Sequence, residues 1–350
     1  MKKSLILLTL SLLFFSCSND ESKENELPNP LSQEGTNIYV GGHDKISDIK
    51  VATIWKNGEP TILGDGVRNS DVNSVFTTTS DVYAVGFQVN SNHDYIATIW
   101  KNGNAIDLTD GSKESVATSV FVSNNIEYVA GYINKAKYNW SAATIWKNGV
   151  ESTLSNLERE GKANSLFVQN NDVYVVGYET NHSNDWPVAM IWKNGVATSL
   201  GVDGKESEAN SVFVSGKNVY VAGYSNLANG SLGNNVAKIW INGEGTEITD
   251  GTNDAYLTGI SVINSDVYAI GAEYEDGRYV GKIWKNGVPS VLTQGTYGII
   301  PSSLYVSPNN IYITGNQIEE NSTTAILWKN GNINTDLTNG NRANTVFLGN

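Results

Sequence analysis

From residue 37 to the end, the chain is a succession of short apolar runs, either continuous or alternating with polar residues. They are rich in Val, Ile, Tyr and Trp and separated by Gly, Asn and Asp, and nothing repeats at a helical period. Such punctuation predicts strands joined by tight turns. One phrase organises them, Ile54-Trp55-Lys56-Asn57-Gly58. Its tryptophan returns as Trp100, Trp146, Trp192, Trp240, Trp284 and Trp328, every 44 to 48 residues, and Asn-Gly follows each one at the same spacing. Asn-Gly favours a type I′ hairpin, whose two central residues both need positive φ. Each copy therefore predicts a strand, a turn and a strand, and the fixed period predicts an array of equivalent units.

The unit can be read in full. A Ser-Val-Phe-Val-like strand leads by a short turn to a Val-Tyr-Val-x-Gly-Tyr-like strand, then a loop, the Ile-Trp-Lys-Asn-Gly strand and a final short strand. The second strand carries Tyr39, Tyr83, Tyr128, Tyr174, Tyr220, Tyr268 and Tyr312, each with glycine three residues on. Four strands per unit and seven units predict an all-β fold, a seven-bladed β-propeller of four-stranded blades over 37–350. Blades stack face to face, so both faces of a strand must be apolar, as in Ala52, Thr53, Ile54 and Trp55. Pro60 and Pro289 fall in fourth strands, where an outer edge tolerates a missing donor. A solenoid would need atypical capping units, and the end units are not degenerate. The chain begins at the second strand of a unit and ends with an extra first strand at 344–349. That arrangement predicts closure by pairing the C-terminal strand with the N-terminal blade, which leaves no open edge.

Spacing separates scaffold from variation. Up to the last blade-to-blade link, only the loop between second and third strands changes length, and in an up-and-down blade it shares a face with those links. Variable loops on a rigid scaffold are where binding is expected. Of the nine tryptophans, Trp140 and Trp186 alone lie outside the repeat; each precedes its blade's repeat tryptophan by six residues, and Tyr95 stands nearly there one blade earlier. One reading makes these rings caps over the inter-blade core. The other makes Tyr95, Trp140 and Trp186 a ligand-binding aromatic shelf on three consecutive blades.

The N-terminus changes the picture. Lys2 and Lys3 precede an apolar run over 5–15, too short to span a bilayer, which predicts a signal peptide over 1–16. Cys17, the only cysteine, follows it and resembles the lipid-attachment cysteine of bacterial lipoproteins. Residues 17–36 are acidic, contain proline and lack apolar periodicity, so they read as a flexible tether. The expected location is the outer membrane, lipid-anchored, on its periplasmic or cell-surface side. The formal net charge is −13, and loss of Lys2 and Lys3 makes it −15. Such a charge repels nucleic acid and anionic membrane surfaces, so the lipid is the expected membrane link.

Candidate chemistry is sparse. His43, His93 and His182 are read as lone loop residues outside any metal-binding spacing. The Asp-Gly links, at Asp65, Asp110, Asp203 and Asp250 with relatives at Gln294 and Asn339, lack the carboxylate set of a calcium loop and are expected to form Asx turns. No catalytic residue, metal or cofactor is expected, and a monomer is. Two function classes stay open. One is a non-enzymatic lipoprotein whose loop face binds a glycan or protein partner. The other is a carbohydrate-active hydrolase or lyase with its site at the tunnel mouth, which a cluster of carboxylates there would favour.

The unit Ala-Thr-Ile-Trp-Lys-Asn-Gly, followed by a leucine and the Ser-Val-Phe-Val and Val-Tyr-Val-Ala-Gly-Tyr strands, resembles the extracellular HAF-type repeats over 37–350, nearly all of the mature protein. The Leu-Gly-Thr-Leu-Gly-Gly run typical of those repeats is absent. Ile38-Tyr39-Val40-Gly41-Gly42 is also similar to a kelch strand. The resemblance implies a bacterial β-propeller lipoprotein and supplies no catalytic residues.

Overall fold

A computed structural model describes residues 37–349 apart from 136–139, 182–184, 203, 228–232, 294, 321, 335–336 and 338–339. The signal peptide, Cys17, the acidic tether, His182, Asp203, Gln294 and Asn339 lie outside the described residues. Seven four-stranded antiparallel sheets form the blades of a β-propeller. Blade 1 orders its strands, from the inside outward, as Gly340–Gly349, Asn37–Ile46, Ile49–Lys56 and Glu59–Ile62, so the last strand of the chain pairs with the first. The remaining blades follow in sequence as 70–107, 115–153, 161–199, 207–247, 255–291 and 298–334. Pro60 and Pro289 sit in outer strands, as expected.

Every letter of the repeated phrase has a physical task. The seven tryptophans are 0 to 1 % exposed and are among the largest fully buried side chains. The seven asparagines have φ between 47° and 53° and the glycines after them between 77° and 89°, which is the type I′ turn. Each asparagine also accepts, through Oδ1 at 2.8 to 2.9 Å, the backbone N–H that opens its blade's second strand, from Ile38 in blade 1 to Ile311 in blade 7. Glycine could take that conformation but not that bond. In six blades the lysine ammonium lies 4.9 to 5.5 Å from the centre of the second-strand tyrosine ring. Blade 5 has Ile241 instead.

Every inner strand carries a β-bulge, at Asn73, Thr118, Asn164, Asn210, Thr258, Ser302 and Asn344. The bulge turns a side chain toward the next blade. In six blades it donates to that blade's inner-strand carbonyl at 2.8 to 3.0 Å, from Asn73 on Ala117 round to Asn344 on Val72. The same bulge brings a carbonyl against the second strand, which explains the glycine there. A Cβ on Gly177 would overlap the Lys162 carbonyl oxygen. The bulges thus tie the blades around the channel and set which side chains rim it.

Candidate functional site

Ahead of each bulge stands the inner-strand residue at the loop-face end of the channel: Asp71, Val116, Lys162, Glu208, Tyr256, Ile300 and Arg342. Each pairs with the residue that follows the second-strand glycine, respectively Phe87, Tyr132, Tyr178, Tyr224, Ala272, Asn316 and His43. The scaffold is sevenfold, and these two rings are not.

Blades 3 to 5 join their rim residues into one network. Tyr178 donates its hydroxyl to Glu160 Oε1 at 3.1 Å. Lys162 holds its ammonium 3.8 Å from that same oxygen and 4.8 Å from the centre of the Tyr132 ring, one blade back. Asn164 Nδ2 donates to Glu208 Oε1 at 2.8 Å. The Tyr224 hydroxyl lies 3.2 Å from both Glu206 Oε1 and Glu208 Oε2, so one phenol proton serves two carboxylates. Burial raises the Tyr178 and Tyr224 phenols well above the ordinary value, and the Glu160, Glu206 and Glu208 carboxylates raise them further. Burial also raises Tyr132. These phenols are therefore donors at neutral pH and not bases. Burial pushes the Glu208 carboxyl above its ordinary value, against the Asn164 and Tyr224 hydrogen bonds that favour its charged form.

Blade 6 extends the sector. The Tyr279 ring meets Tyr256 at 5.6 Å and Tyr274 at 5.2 Å, both edge-on. Its hydroxyl donates to Asp254 Oδ2 at 3.2 Å, while Lys282 pairs with Glu273 at 2.7 Å and with Glu275. The loop-face rim of blades 3 to 6 thus combines aromatic rings, phenol donors and carboxylate acceptors.

Tyr95 and Trp140 open the third strands Tyr95–Lys101 and Trp140–Lys147, and Trp186 immediately precedes Pro187–Lys193. All three stand at the loop face of consecutive blades. Tyr95 is 40 % exposed and packs edge-on against Phe87 at 4.7 Å, which links it to the rim. Trp140 and Trp186 are half-buried, and the Trp140 indole N–H donates to the Leu157 carbonyl at 3.4 Å.

His43 is not the loop residue expected. It lies within Asn37–Ile46, is 5 % exposed, and its Nδ1 is 2.9 Å from Asp71 Oδ2, where it helps to lock blade 1 to blade 2. Its place follows from strand closure, which a local reading of the sequence does not show. The Asx turns are present at Asp65, Asp110 and Asp250, whose Oδ1 atoms accept the N–H two residues on at 2.9 Å. The rim tyrosines and glutamates were missed by sequence reasoning. Their signal is that tyrosine follows the strand-two glycine in three successive units and not in the other four.

No protein-family model and no curated protein matches the chain. Among solved structures it is similar to a puromycin-hydrolyzing peptidase of Mycobacterium tuberculosis, with TM-score 0.55 and 10% identity over 91% of this chain and 54% of that one. It is also similar to TolB from Acinetobacter baumannii (TM-score 0.46, 11% identity, 74% of this chain and 65% of that one). A third is the propeller domain of the Trilobed protease from Pyrococcus furiosus (TM-score 0.41, 13% identity, 76% and 95%). The likeness to the first is one of fold, and the chain spans about half that peptidase's length.

Proposed function

We propose that the protein is a bacterial lipoprotein, held at the outer membrane by a lipid on Cys17 and related to the HAF-type repeat proteins, whose loop face binds a glycan. The observation that carries this reading is the departure from sevenfold symmetry in one sector. Tyr132, Tyr178, Tyr224 and Tyr256 with Glu160, Glu206 and Glu208 rim the channel mouth, and Tyr95, Trp140 and Trp186 stand on the same face of blades 2 to 4. Rings that stack on sugar faces, beside fixed groups that pair with hydroxyls, are what saccharide recognition requires. The carboxylates set the class. They favour neutral or amino sugars over uronic or sulfated ones, which the charge of the domain repels.

One observation supports the enzymatic alternative. Glu206 and Glu208 both face the Tyr224 hydroxyl, and the raised carboxyl of Glu208 suits a proton donor in glycoside cleavage. Both readings are tested by presenting the full-length protein with neutral, amino and anionic oligosaccharides and analysing the sugars by mass spectrometry. We expect saturable binding of neutral or amino sugars, recovered intact, and weakened roughly tenfold by Trp140→Ala or Trp186→Ala. Shortened sugars would establish the hydrolase or lyase. Unchanged binding in both variants would return the two tryptophans to packing.

A further inference from the structure

At the opposite end of the channel, beside the turns between first and second strands, the inner strands place aromatic side chains around the axis. Successive rings touch: Tyr305 and Phe347 at 5.3 Å, Phe347 and Phe76 at 4.8 Å, Phe76 and Phe121 at 4.7 Å, Phe121 and Phe167 at 5.1 Å, and Phe167 and Phe213 at 5.0 Å. The seventh place, between Phe213 and Tyr305 in the strand Ala255–Ile263, holds Ser261. That place opens on the axial channel. An open cavity of about 160 Å³ lies on the axis, lined by these rings, by Ser261 and by inner-strand residues of every blade, among them Ser74, Ser165, Ser211 and Ser303. The serine is 5 % exposed, and its hydroxyl, which makes no hydrogen bond among the described residues, opens on the channel and is not sealed in the core. An open place in an otherwise continuous belt of packed rings adds nothing to the fold. A cavity of about 150 Å³ is known to accept a benzene ring.

We infer that this gap is a binding site for a small monocyclic aromatic molecule bearing one hydroxyl. Its ring takes the seventh place in the aromatic belt, edge-on to Phe213 and Tyr305, and its hydroxyl pairs with that of Ser261. The site is at the far end of the channel from the glycan rim and does not depend on it.

The test is a ¹⁹F NMR titration of 4-fluorophenol with the full-length protein, its Ser261→Phe variant and its Ser261→Ala variant. The parent should give a saturable change in the ¹⁹F signal. Ser261→Phe should complete the belt, raise the melting temperature and abolish the saturable change. Ser261→Ala keeps the cavity and should bind about fivefold more weakly, the equivalent of one net hydrogen bond. Absence of saturation in the parent would overturn the site, as would undiminished binding in Ser261→Phe. Should Ser261→Phe fail to fold, equal affinity of Ser261→Ala and the parent would overturn the assignment.

Discussion

Asn316 and Ala343 hold each other by two hydrogen bonds across the closure of the ring. Asn316 Nδ2 donates to the Ala343 carbonyl at 3.3 Å, and the Ala343 N–H donates to Asn316 Oδ1 at 3.0 Å. Blade 7 has the short Ser302 at its bulge, and Asn316, which also donates to the Ser302 hydroxyl at 3.0 Å, supplies the inter-blade bond that the other six bulge residues make directly. The circle of bonds is thereby complete, and its seventh member bears on the strand that closes the propeller.

Asn316→Ala leaves the buried Ala343 N–H without its partner. It should cost about 1 to 3 kcal/mol, the range for a buried group left unsatisfied. Urea unfolding measures this; a midpoint equal to the parent's would show that the clamp contributes nothing to closure.

Gly177 is required by the neighbouring bulge and not by its own φ. Gly177→Ala should destabilise by about 3 kcal/mol, the upper end of overpacking penalties. Gly195→Ala is the useful comparison, because its added Cβ meets nothing within 4 Å and its penalty is one of positive φ alone. Equal losses in the two variants, by thermal or urea unfolding, would argue against the steric role of the bulge.

Glu208 should make stability depend on pH in a definite direction. Burial is the main cause that raises its folded-state value above the ordinary 4.5, so the folded protein binds that proton more tightly than the unfolded chain. Its contribution is therefore fully present below the unfolded value and is lost as pH rises through the folded one. Glu208→Gln should gain stability relative to the parent at pH 7, and the difference should shrink as pH falls toward 4. Unfolding curves at several pH values check this; a difference that grows on acidification would reverse the sign.

The blade count, the Asn-Gly hairpins, the outer-edge prolines and the closure were all legible in the sequence, because each rests on residues within one strand or turn and recurs seven times. The bulges were not. Asn164 and Thr118 look like ordinary polar residues in a strand, and only register against the second strand reveals the extra residue. The rim was hidden for the same reason. Glu206, Glu208 and Tyr224 meet because the bulge and the pairing bring them together, and Lys162 meets Tyr132 only because blades 3 and 4 pack. His43 looked like a loop residue because its partner, Asp71, belongs to the next blade.

The central claim is that what repeats holds the fold, while what breaks the repeat serves binding. Trp192 and Trp186 lie six residues apart in one blade, the first 0 % exposed within the repeat and the second half-buried outside it. The most direct measurement is the unfolding free energy of Trp192→Ala beside that of Trp186→Ala. The account predicts a loss of about 3 to 5 kcal/mol for Trp192→Ala, as for other buried tryptophans, and under about 1 kcal/mol for Trp186→Ala. Equal large losses in both variants would contradict it.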